Sequence, residues 1–233
     1  MIATTLYRGL ARPLFRALSG AASAITKVLI DLSPTSNGFY SLDTPQVFAG
    51  DFKVKGKFAT TSTNQQDIVG DSTSANLRLI INGNRLQMLV GNGSGLVVNF
   101  LGSTLINDGV LHSFEFSKIG DDYKILLDDS LEASNTNTAA VSPIATHVGQ
   151  RGTGASFFKG IIADVELIDI TTPANSLEFK LNKLTANSET NNGVTITYNN
   201  TGTGTSVRNE YVLSNGGTQY ISDLRTIDIA AQA

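Results

Sequence analysis

The sequence contains no cysteine and no tryptophan, and only two histidines, two methionines and five prolines among its 233 residues. Without cysteine there are no disulfides, no thiolate metal sites and no cysteine nucleophile. Without tryptophan the largest stacking platform is missing, which weakens a case for sugar binding by ring stacking. Charged residues are scarce at 16%, and a net charge of -3 is too small to argue for nucleic acid or an anionic membrane surface. No run approaches the roughly 18 apolar residues of a membrane-spanning helix. Low charge leaves the surface to Ser, Thr, Asn and Gly, which suits a β-rich protein with many turns better than a helical one.

Acidic residues are also absent from the start of the chain, where Asp31 is the first. Within residues 1–32, Arg8, Arg12 and Arg16 recur at every fourth position, and Leu6, Leu10, Leu14 and Leu18 do the same. Such spacing lays two stripes along a helix, which Pro13 interrupts. A secretory signal fits poorly, because the apolar part is short and punctuated by arginine; a transit peptide fits the basic, acid-free composition. The reading preferred here is an arm that docks on a neighbouring subunit through Arg8, Arg12, Arg16, Leu10 and Leu14. The bland alternative is a frayed terminus.

What is present in abundance is strand-like alternation. Ser113–Lys118 and Tyr123–Asp128 flank the turn Ile119-Gly120-Asp121-Asp122, with Phe114 and Phe116 on one face and Ser113, Glu115 and Ser117 on the other. Asp51–Thr60 sets Phe52, Val54, Gly56 and Phe58 against a row of Lys53, Lys55 and Lys57, read as a solvated face. Residues 76–90 form a hairpin on Asn82-Gly83, and Leu96–Leu101 and Ile144–Gly149 add strands. Phe157–Ile170 reads as one long strand with Ile162, Asp164, Glu166 and Ile168 on a shared face. Strands at regular spacing with almost no helix signal predict an all-β, two-sheet sandwich or jelly roll.

Three motifs carry a resemblance. Asn107-Asp108-Gly109-x-Leu111-His112, then Tyr123–Asp128, then Gly149 with Phe157-Phe158-x-Gly160-x-Ile162-x-Asp164-Val165 resemble the laminin G-like or concanavalin A-like lectin pattern, over about Asp51 to Ile170. The resemblance implies a jelly roll that binds rather than catalyses. Two departures are Leu111, where the family carries tryptophan, and Asp129, where it carries glycine. Laminin G-like domains often hold one calcium ion, so the resemblance leaves calcium open as a cofactor, with Asp67, Asp71, Asp121 and Asp122 as candidate ligands. No other cofactor is expected.

Related glucanases resemble three acids in alternation on one strand. Here Asp164 and Glu166 are followed on that face by Ile168, and Asp169 points away, so hydrolysis is disfavoured. His112 and His147 have no carboxylate at ligand spacing in the sequence and read as structural. No nucleophile elbow is present.

The expected organisation is an arm over 1–32, a jelly roll over 33–172 and a C-terminal strand extension over 173–233. The extension, with Leu177–Asn182 and Val194–Tyr198, is too small to stand alone and has to pair with the sandwich or another copy. In style the chain resembles a bacteriophage virion protein, a head decoration or tail-associated fibre. Its expected partners are other virion subunits in a homo-oligomer and host glycans, not nucleic acid. A stand-alone glycan-binding protein is the alternative, and a polysaccharide-active enzyme the third.

Overall fold

Two antiparallel sheets account for every strand of the computed structural model, which describes residues 22–32, 37–71, 76–181, 188–200, 206–213 and 218–223. The first sheet runs β10 (Ser130–Thr136), β9 (Asp122–Leu127), β8 (His112–Ile119), β3 (Phe52–Ala59), β12 (Ile161–Asp169), β1 (Ala22–Asp31), β16 (Ser206–Leu213) and β17 (Thr218–Asp223), with β13 (Leu177–Phe179) also on β12. The second runs β14 (Ser188–Asn191), β15 (Val194–Asn200), β2 (Gly38–Val47), β11 (Ile144–Val148), β4 (Gln66–Gly70), β5 (Leu77–Asn82), β6 (Arg85–Gly91) and β7 (Leu96–Leu101). The expected all-β jelly-roll sandwich is what the chain forms.

Alternation decides which side of each strand is inside. Phe52, Val54 and Phe58 of β3, Phe114 and Phe116 of β8, and Tyr123, Ile125 and Leu127 of β9 are buried between the sheets. They meet Tyr40 and Leu42 of β2 and Leu77, Leu79 and Ile81 of β5 in one core cluster. Phe48 and Phe52 stack at 4.9 Å, and Phe58 meets Phe158 edge-on. Full burial of each such ring contributes roughly 1.5–3 kcal/mol.

Tight turns fix the registers. Asn82 pairs with Arg85, so the turn residues are Gly83 and Asn84, both at positive φ, one position later than Asn82-Gly83. Leu127 pairs with Ser130 around Asp128 and Asp129 (φ 48° and 62°), and Asn191 with Val194 around Asn192 and Gly193 (48° and 77°). Asp129, where the lectin pattern has glycine, thus adopts the conformation that glycine would.

The sequence reading needs several corrections. Residues 157–160 precede β12 rather than belong to it. Within β12 the register steps from Ala163↔Lys57 to Glu166↔Lys55, so Asp164 and Val165 together oppose Gly56: a β-bulge with Asp164 at φ 50°. The bulge reverses the alternation. Ile162 is in the core, and only Asp164, Glu166 and Ile168 lie toward the outside. β10 and β14, in segments whose letters show no apolar alternation, are also strands. Residues 22–31 of the segment expected as an arm form β1, which pairs with β16, and β15 pairs with β2. Arg8, Arg12, Arg16, Leu10 and Leu14 lie outside the described residues.

Candidate functional site

The outer face of the first sheet carries a row of side chains set by strand register. Leu126 on β9 opposes Glu115 on β8, which opposes Lys55 on β3, which opposes Glu166 on β12, which opposes Glu178 on β13. Lys53 and Lys55 clasp Glu115 at 2.9 and 3.2 Å, so the lysine row is not merely solvated. Burial pushes the Glu115 carboxyl up, but the hydrogen bonds and charges of the two lysines outweigh it and leave it below its ordinary value.

At the bulge this face sinks into a concavity of about 320 Å³. Gly56 and Phe114 are among its lining residues, and position 56 leaves no room for a side chain on the core side, because a Cβ there would lie 2.9 Å from the buried Phe114 ring and 3.2 Å from the Ala163 carbonyl oxygen. The bulge also swings Asp164 toward Lys57, to which it is ion-paired at 3.1 Å. Around the rim stand Lys55, Lys57 and Lys180 against Glu115, Asp129, Asp164 and Glu166, three cations facing four carboxylates, with Ser113 and Leu126 between them. Lys180 bonds to Glu178, and that bond raises its pKa above the ordinary lysine value.

One edge of the concavity is pinned by His112. Its Nδ1 lies 2.7 Å from Asp128 and its Nε2 3.3 Å from Asp108, while the ring packs on Phe58 at 5.8 Å. The other oxygen of Asp128 accepts from the backbone N–H and hydroxyl of Ser113. Burial pulls the His112 pKa down, yet its hydrogen bonds to both aspartates carry it above the usual 6.5. The sequence reading that His112 has no carboxylate nearby is therefore corrected: Asp128 is remote in sequence and arrives through the β9–β10 turn. Its structural role, packing and hydrogen bonding, is what the ring performs.

The four candidate calcium ligands are not gathered in one place. Asp67 lies in β4, fully buried, and accepts from Arg78 Nε at 2.9 Å and Nη2 at 2.7 Å. Asp71, also buried, accepts from Asn76 at 2.6 Å. Asp121 lies in the β8–β9 turn of the other sheet and Asp122 opens β9, where it accepts from Thr136. A carboxylate held by both prongs of an arginine is a poor donor for a cation. Among the described residues no group of three or more histidine, aspartate or glutamate side chains could hold a metal ion. His147 bonds to Thr146 and packs on Phe39, which also meets Phe157, so these half-buried rings seat the 149–160 loop on the second sheet.

No family model and no curated protein matches the chain. Among solved structures, a Bacteroides ovatus protein named as a supposed carbohydrate binding protein superimposes with a TM-score of 0.56 at 12% identity, over 87% of this chain. Domains LG4-5 of the mouse laminin alpha1 chain superimpose with a TM-score of 0.50 at 16% identity, over 63% of this chain. The fold is a concanavalin A-like jelly roll. This jelly roll spans 62% of the first of those chains and 43% of the second. At such identities the likeness speaks to the fold alone.

Proposed function

We propose that this jelly roll is a non-catalytic carbohydrate-binding module and that the concavity at the β12 bulge receives the sugar. The observation that carries the reading is the lining itself. Carboxylates and ammonium groups already fixed by one another present ordered acceptors and donors around a small concavity, with Leu126 beside them, as a ring of hydroxyls and C–H groups requires. A volume of about 320 Å³ is at the small end of ligand sites, suited to one or two sugar units. With four carboxylates against three lysines, neutral sugars are favoured over acidic ones.

Catalysis is disfavoured by the same charges. A glycosidase needs one carboxylic acid whose pKa is raised so that it can donate a proton. Here Lys53 and Lys55 hold Glu115 low, and Lys57 is paired with Asp164. The expected place in a virion leans on the chain's style and on its first residues, and nothing in this geometry favours it.

A glycan array read with the intact chain tests the proposal, followed by calorimetry with the best neutral ligand. Replacing Glu166→Gln together with Lys57→Ala removes charged hydrogen-bonding groups worth about 1.5–3 kcal/mol each, so binding falls by at least about tenfold. Chelator leaves it unchanged. An array without hits, or a double variant that binds like the native chain, defeats the reading.

A further inference from the structure

An asparagine followed by glycine is chemically vulnerable, because the glycine nitrogen, with no side chain to crowd it, can attack the asparagine Cγ. Five such pairs occur in the sequence: Asn37-Gly38, Asn82-Gly83, Asn92-Gly93, Asn192-Gly193 and Asn215-Gly216. The last lies outside the described residues. The structure treats the other four differently.

Three of the four have their carboxamide taken up by a partner. Asn37 Oδ1 accepts from Lys159 Nζ at 2.7 Å, and the Gly38 that follows is buried, paired with Asn200 in the β15–β2 ladder. Asn82, the last residue of β5, donates from Nδ2 to Gln87 Oε1 at 2.9 Å. Asn192 Nδ2 donates to the carbonyl oxygens of Ala174 and Ser176, at 3.2 and 2.7 Å, and so ties the β14–β15 turn to the segment before β13. Each of these side chains has to give up its partner before it can close a ring on the next nitrogen.

Asn92 is placed differently. It is exposed in the loop between β6 and β7, and among the described residues nothing accepts a hydrogen bond from its Nδ2. Its Oδ1 accepts from the backbone N–H of Ser94 at 3.1 Å, which folds the carboxamide forward over the intervening Gly93 peptide. The same N–H is aimed at the oxygen on which negative charge collects when the Gly93 nitrogen attacks. A Cβ at Gly93 or Gly95 would meet nothing within 4 Å, so the loop has room to turn as a ring closes.

We propose that Asn92 is a modification site, at which the folded chain deamidates itself through a cyclic imide with Gly93. The Gly93 nitrogen bonds to Cγ, its proton passes through solvent to the departing amide, and the Cγ–Nδ2 bond breaks to release ammonia. Water then opens the imide at either carbonyl, leaving aspartate or its isomer linked through the side-chain carboxyl. Nothing is oxidised or reduced. Either product adds one negative charge to the β6–β7 loop, and the isomer lengthens its main chain by one methylene. That loop belongs to the second sheet and does not line the concavity, so the modification is independent of sugar binding.

Peptide mapping by mass spectrometry of the intact chain, aged in mildly alkaline buffer, tests this. Asn92 is expected to convert at least about fivefold faster than Asn37, Asn82 or Asn192, the factor that one net hydrogen bond implies. In urea that unfolds the chain the partners are gone, every pair has the same glycine neighbour, and the advantage of Asn92 disappears. Gly93→Ala, which crowds the nitrogen, should slow conversion at Asn92 by at least about tenfold. The proposal is overturned if Asn82 or Asn192 reacts as fast as Asn92 in the folded chain, or if the advantage persists in urea. An unchanged rate in Gly93→Ala overturns it as well, since the amide would then be lost without the imide.

Discussion

Asp67 and Arg78 form a buried ion pair, the carboxylate fully enclosed and the arginine 7% exposed. Burial pushes the Asp67 carboxyl above its ordinary value against the pull of Arg78. Breaking one side of such a pair strands a charge, which typically costs about 3–5 kcal/mol, whereas replacing both partners by apolar residues is often nearly neutral. Arg78→Met should therefore lower the urea midpoint sharply, and adding Asp67→Leu should restore most of it. A loss in the double variant equal to that in the single would show that the pair is not the cause. The sequence hid this role, because an aspartate among polar neighbours looks like a turn former until Arg78, eleven residues on, is placed across the ladder. His112 is the second residue with a measurable consequence. Its folded pKa is raised above the usual 6.5, so its contribution is complete below about pH 6.5 and fades as pH rises through the folded value. His112→Asn should cost more thermal stability at pH 5.5 than at pH 9. The pH-dependent part is under about 1 kcal/mol, because Asp108 and Asp128 are 50% and 53% exposed and solvent screens them. A penalty independent of pH would assign the effect to packing on Phe58 instead.

At the scale of elements, β12 shows what alternation can and cannot tell. A period of two identifies the strand and its buried Val165 and Leu167, but it carries Ile162 to the wrong face because one added residue reverses the phase. Nothing in the letters announces the bulge: Asp164 takes the left-handed conformation as one of the few non-glycine residues that tolerate it. β10 and β14 escape for a different reason, since SLEASNT and SETN place polar residues on both faces and show no period. The hairpin turns, by contrast, were legible in Asn-Gly and Gly-Asp pairs, because positive φ is a local demand. The entry to β12 offers a test of backbone constraint. Gly160 sits at φ 144°, and a Cβ there would lie 2.0 Å from the Ala59 carbonyl oxygen. Gly160→Ala should destabilise the protein by more than about 2 kcal/mol, since the neighbouring strand has to shift as well as the backbone strain. Gly95→Ala, where a Cβ meets nothing within 4 Å, should stay within about 0.5 kcal/mol. Thermal melts of the two variants side by side decide it.

For the whole molecule, fold class was readable because many strands repeat one simple pattern and three motifs fall in the lectin order. The candidate site was not, because its residues come from separate strands and turns that only the ladder register brings together, and because its shape depends on the bulge. The concavity is lined from β3, β8, β9, β12 and the neighbouring turns, so its charged rim holds together only while the register of that sheet holds.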